Sequence, residues 1–151
     1  MATKLKKPEQ SKGIILIVDD DPMPAQYYIR AIDSISDGAY LVTQKFGPAT
    51  ALEFVKQQKT EIKLIILDEM MPSESYPEDA TEEGRRTGNV LYRDIREILP
   101  SVPVIIITHV DIDSDFRAKL PSNDRRLFMK HKLGITPSDL AEFVMKLVAS
   151  P

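Results

Sequence analysis

Five short apolar runs dominate this chain, and the way they end limits what it can fold into. Ile14–Val18 runs into Asp19, Asp20 and Asp21. Run 64–67 ends at Asp68, run 104–107 at Thr108, and run 127–129 at Lys130. The fifth, over 40–46, carries Leu41 and Val42. These runs are continuous rather than alternating, and rich in Ile and Val. Strands buried on both faces read this way, as in a parallel sheet covered by helices. Each terminal polar group then sits where a strand leaves the sheet, which is where open α/β sheets place their ligands.

The segments between the runs carry helical spacing. After Asp21-Pro22, residues 23–35 place apolar or aromatic side chains at 25, 28, 29, 32 and 35. Gly47-Pro48 starts a second helix, with Ala51, Leu52 and Val55 on one side, ending near Lys59. From Asn89, a third face repeats through Val90, Leu91, Ile95, Ile98 and Leu99 and stops at Pro100. A weak helix is expected over 111–120, closed by Pro121. Thr136-Pro137 supplies a capping hydroxyl and a first-turn proline, and Leu140, Phe143, Val144, Leu147 and Val148 follow at helical intervals. The order is β-α repeated five times. Right-handed crossovers make this a single-domain, doubly wound, flavodoxin-like α/β fold with five parallel strands in the order 2-1-3-4-5. That order brings the ends of strands 1 and 3 together. Residues 73–87 break the rhythm: a polar loop with five acidic residues before Arg85 and Arg86, where such connections usually run about 2–6 residues.

Composition narrows the function classes. At 151 residues the chain can bury a core without disulfides or structural metal. A net charge of −3 argues against direct nucleic-acid binding. The absence of cysteine removes thiol chemistry and fits a reducing cytoplasm. No apolar stretch approaches the roughly 18 residues of a membrane span, so no membrane insertion is expected. Residues 1–12 carry Lys4, Lys6, Lys7 and Lys12 against Glu9 and no apolar core of a signal peptide. They read as a basic tail, expected to be mobile, ahead of a domain over 13–151.

Asp19, Asp20 and Asp68 on adjacent strand ends would repel one another without a counter-ion. A hard divalent cation relieves this, and Mg²⁺ favours one or two carboxylates together with phosphate and water oxygens. Asp68 can then act as a nucleophile toward a phosphoryl group, with the metal and Lys130 sharing the charge of the transition state. Thr108 can hydrogen-bond a phosphoryl oxygen. Taken singly, each residue has a plainer use: Asp20 or Asp21 can cap the helix after Pro22, Thr108 can be a turn residue, and Lys130 a solvated charge. The ordered set is harder to explain that way.

The set resembles the receiver domain of two-component response regulators over residues 13 to 149. The matching stretches are IILIVDDDP at 14–22, LIILDEMMP at 64–72, VPVIIIT at 102–108 and LFMK at 127–130. Gly88 with Ile95-Arg96 resembles that family's third helix. The resemblance implies Asp68 as phospho-acceptor and Mg²⁺ held by Asp19, Asp20, Asp68 and the backbone carbonyl of Met70. It implies Thr108 as switch hydroxyl and Lys130 as the charge partner of the phosphate, with Asp21 left to capping. Function would then be phosphorelay signalling rather than enzyme turnover. A sensor histidine kinase or histidine phosphotransfer protein would donate phosphate, and the strand 4–helix 4–strand 5 face would switch to bind a downstream protein, with homodimerisation left open.

Four departures from the family pattern stand out: the long 73–87 loop, His109 after Thr108 where a small residue is usual, His131 where a proline usually follows the lysine, and Leu127 where an aromatic switch residue is common. Without proline, a cis bond after Lys130 costs several kcal/mol, so a trans bond or a re-routed loop is expected. Phe128 is expected to point to the face opposite Leu127. Two other readings stay open. One is a receiver-like binding module that works without phosphorylation. The other is a haloacid-dehalogenase-type phosphatase, suggested by Asp19-x-Asp21. Against the phosphatase, Asp68 precedes Thr108 and no closing acidic motif follows Lys130. The chain is read either as a stand-alone receiver or as part of a longer protein.

Overall fold

The computed structural model describes residues 11–108 and 123–149. Its strands are β1 (Ile14–Val18), β2 (Leu41–Lys45), β3 (Ile62–Asp68), β4 (Val104–Thr108) and β5 (Leu127–His131). Its helices are α1 (Pro22–Ile35), α2 (Pro48–Gln58), α3 (Glu78–Thr81), α4 (Thr87–Ile98) and α5 (Pro137–Ala149). A 3-10 turn, Lys132–Gly134, follows β5. The five strands form one parallel sheet in the order β2-β1-β3-β4-β5, as the sequence pattern predicts.

Alternation along the central strands divides the core into two layers. Ile14, Leu16, Ile65, Leu67, Val104 and Ile106 face α2 and α4, whose Ala51, Phe54, Val55, Leu91, Tyr92 and Ile95 close that side. Ile15, Ile17, Leu64, Ile66, Ile105 and Ile107 face α1 and α5, against Ala25, Tyr28, Ile32, Leu140 and Val144. All of β1 and β4 is buried, so both faces of these strands contribute, each buried aliphatic side chain by about 1.5–3 kcal/mol. This is the physical source of the continuous apolar runs. In β5, Leu127 packs into the first layer and Phe128 into the second, so they face opposite ways as the period of two requires.

Helix starts follow the residues that set them. Asp21 caps α1: its side chain accepts the Met23 N–H at 3.0 Å, with Pro22 in the first turn. Ahead of α5, Thr136 Oγ1 accepts from Asp139 N–H at 3.1 Å and Asp139 Oδ2 accepts from Thr136 N–H at 3.2 Å, a reciprocal capping box. The 73–87 connection differs from the expected plain loop, because it contains α3. That four-residue helix closes through Glu82 and Glu83 in left-handed conformation, which a periodicity argument does not reach. The helix expected over 111–120 and His109 lie outside the described residues, as does most of the 1–12 tail. No cis peptide bond occurs among the described residues.

Candidate functional site

The register that builds the sheet also builds the site. Val18 pairs with Leu67, so Asp19 and Asp68 emerge side by side at the ends of β1 and β3. Asp68 is in turn level with Ile107, and Thr108 ends β4 one residue further on, buried. Asp19 is held by its own turn: its Oδ1 accepts the Asp21 N–H at 2.9 Å, and its N–H donates to Lys45 O at 3.1 Å. Gln44 Nε2 donates to the Asp19 carbonyl at 2.9 Å and the Asp21 carbonyl at 3.2 Å, fixing the acidic turn against β2.

Asp19 and Asp68 are only 4% and 6% exposed, whereas Asp20 reaches solvent. Carboxylate oxygens of the three lie within 4.8 Å of one another. Burial is the main force on the buried pair, and it disfavours charge: Asp19 is pushed up to about 7 and Asp68 to about 6. Their proximity adds to the rise at Asp19, and Asp20 adds to it at Asp68. Opposing this, the ammonium of Lys132 favours both charged forms, and the Met70 N–H hydrogen-bonds the Asp68 carboxylate. An all-oxygen donor set with this much uncompensated negative charge fits a hard divalent cation. Met70 shares a groove with Asp20, Gly84 and Arg85, so its backbone runs beside the acidic cluster.

The 73–87 connection is fastened beside the end of β3 rather than loose over it. Thr87 Oγ1 donates to the Met71 carbonyl at 2.6 Å, and Met71 N–H to the Gly84 carbonyl at 3.1 Å. Ser73 and Thr81 hydroxyls bond at 2.6 Å, and Glu74 Oε2 accepts the Ala49 N–H at the start of α2. Tyr76 Oη donates to Asp94 on α4 at 2.6 Å. Arg86 pairs with the buried Glu69 at 3.7 Å. Gly88 lies so close to the strand end that a Cβ there would stand 2.4 Å from the Asp68 carbonyl oxygen.

The structure thus brings Asp19, Asp20 and Asp68 together, with Met70 and Thr108 on the adjoining chain ends. It places Lys130 differently from the sequence expectation. Lys130 Nζ lies 4.3 Å over the ring of Phe143 on α5, a cation–π contact. Among the described residues, the cation that lines the cavity with Asp19 and Asp68 is Lys132, in company with Tyr28 of α1. Both were missed in the sequence. Tyr28 falls on the apolar face of α1 and reads as core, yet Asp19 and Asp68 add to the burial that pushes its phenol up. Lys132 has the same strand parity as Lys130, which was the one available signal.

No family model matches the chain, and neither does any curated protein sequence. Solved structures do. A response regulator receiver domain from Clostridium thermocellum matches at 22% identity and TM-score 0.66, over 91% of this chain and 94% of that one. A response regulator receiver protein from Sinorhizobium medicae matches at 21% identity and TM-score 0.65, over 91% and 95%. A CheY-like receiver domain protein from Methanospirillum hungatei matches at 18% identity and TM-score 0.68, over 92% and 95%. The chain therefore has the receiver-domain fold, along nearly its whole length. No helix among the described residues is long and apolar enough to cross a membrane.

Proposed function

We propose that this protein is a phospho-acceptor receiver that takes a phosphoryl group from a phosphohistidine donor onto Asp68. The observation that carries the reading is the convergence of two buried carboxylates and one exposed carboxylate at the ends of β1 and β3 of a receiver fold. Asp19, Asp20, Asp68 and the Met70 carbonyl would hold Mg²⁺. Bound there, Mg²⁺ supplies the positive charge that offsets the carboxylates and the phosphoryl oxygens.

Asp68 Oδ attacks phosphorus, a P–O bond forms, and the P–N bond of phosphohistidine breaks. The electron pair leaves with the imidazole nitrogen, which is then protonated. No separate base is needed, because an ionised carboxylate is already a nucleophile. Asp19 keeps the acidic turn fixed against β2 and supplies the negative charge that a cation must balance. Thr108 presents its hydroxyl to a phosphoryl oxygen. The product adds about 1.5–2 negative charges at the strand ends. That charge biases a two-state rearrangement of the face at β4 and β5, where a downstream protein binds. The donor is a sensor histidine kinase or a histidine phosphotransfer protein.

Incubation with acetyl phosphate and Mg²⁺, followed by intact mass measurement, tests this reading. One added phosphoryl group in the wild type, absent from Asp68→Asn, is the expected result. No addition with any donor would favour a phosphorylation-independent binding module, and steady turnover of a phosphomonoester would favour a phosphatase.

A further inference from the structure

We propose that Lys132, carried by the 3-10 turn after β5, supplies the site's cation in place of Lys130 in the strand. The inference rests on the receiver reading above and changes which residue meets the phosphoryl charge.

Three observations converge on it. First, Lys132 lines the cavity that holds Asp19 and Asp68, and its charge acts on both carboxylates. Second, Lys130 is engaged elsewhere: its Nζ sits over Phe143, whose ring is itself fixed edge-on against Phe128, 5.3 Å away at 85°. Third, the ladder explains the displacement. Lys130 pairs with Ile107 and His131 with Thr108, so β5 stays in the sheet past Lys130. His131 then turns the chain, its Nδ1 accepting the Leu133 N–H at 3.2 Å. Lys132 is the first residue beyond the strand, and the turn brings it to the cavity at the ends of β1 and β3. A residue at the end of the ladder can swing over the strand ends, whereas one inside it is committed to a face of the sheet.

In this role the Lys132 ammonium makes no covalent bond and gives up no proton. It neutralises charge on the phosphoryl oxygens as the group transfers to Asp68, and afterwards holds the acyl phosphate by a charge-assisted hydrogen bond.

Two measurements on Lys132→Ala and Lys130→Ala decide the matter. The first is the rate of labelling by acetyl phosphate with Mg²⁺. Lys132→Ala should fall by about tenfold or more, and Lys130→Ala should stay within about twofold of the wild type. The second is Mg²⁺ affinity by calorimetry of the unphosphorylated protein. Removing the charge of Lys132 should tighten Mg²⁺ binding by about threefold or more, Lys132→Arg should restore the wild-type value, and Lys130→Ala should leave it unchanged. Lys132→Gln, which keeps most of the stem, should behave as Lys132→Ala does. The opposite pattern, or equal effects from both lysines, overturns the assignment. A wild type that accepts no phosphoryl group overturns the receiver reading instead, and the Mg²⁺ comparison still decides between the lysines.

Discussion

Asp19 and Asp68 are the residues on which this site turns, because the fold holds two carboxylates almost out of water with little compensating charge. Both bind their protons more tightly in the folded protein than in an unfolded chain, Asp19 at about 7 and Asp68 at about 6. That contribution to stability is full below about pH 4 and is lost as the pH rises through those two values. In EDTA the melting temperature should therefore fall by roughly 5 °C between about pH 5 and about pH 8. Mg²⁺ at about 100 times its Kd should return about 2.7 kcal/mol at the higher pH. Asp19→Asn should flatten the fall. An unchanged pH slope in that variant would contradict the assignment of the pH dependence to this buried pair. The acidic triplet was legible as three residues of different use only in part. Sequence order assigns Asp21 to capping, and its bond to Met23 N–H is what the structure shows. The unequal burial of Asp19 and Asp20 is a tertiary property that order alone does not reveal.

At the scale of elements, the connection between β3 and α4 positions the chain where it leaves β3. Its anchor is the buried hydroxyl of Thr87 on the Met71 carbonyl, one residue after Met70. Thr87→Val keeps the shape and deletes this bond, leaving a buried carbonyl short of a donor. It should cost about 1–3 kcal/mol in denaturant unfolding. It should also weaken Mg²⁺ binding, since the Met70 backbone is released; full Mg²⁺ affinity would show that Met70 contributes nothing. The main strands and helices were readable because β1, β3 and β4 are covered on both faces, and α2, α4 and α5 carry apolar stripes of helical period. This connection was not. Its order comes from scattered polar bonds, such as Ser73 to Thr81 and Glu74 to Ala49, which leave no periodic trace. Lys130 and Lys132 show a second limit. Equal parity made them interchangeable by pattern, and only the extent of the β4–β5 ladder separates them.

Across the whole molecule, one polar network ties the sheet's outer edge to the helix layer. Arg96 on α4 donates to Asp124 at 2.9 Å and to the carbonyls of Leu99 and Val102 at 2.9 and 2.6 Å. Tyr92 also hydrogen-bonds Asp124, whose carboxyl is held below its usual range by that phenol, the Arg126 N–H and Arg96. Asp124 leads into β5, its carbonyl accepting the Leu127 N–H, so α4 is tied to the entry of the last strand. Arg96→Ala removes the donor from the Leu99 and Val102 carbonyls and leaves the half-buried Asp124 without its cation. It should cost about 2–4 kcal/mol and raise hydrogen exchange in β5 more than in β1. Equal exchange in the two strands would show that the network does not anchor the edge. The two-layer architecture was predictable because strand order follows from right-handed crossovers. This clamp was not, since its partners lie about thirty residues apart and join only when the sheet closes.

All three scales meet at one bond, the acyl phosphate proposed on Asp68. Borohydride reduction of protein treated with acetyl phosphate and Mg²⁺, followed by peptide mapping, locates that bond chemically, because only an acyl phosphate is converted to the corresponding alcohol. Conversion at Asp68 alone, absent when Mg²⁺ is chelated, is the predicted result. Conversion at Asp19, Asp20 or any other carboxylate, with Asp68 intact, would contradict it.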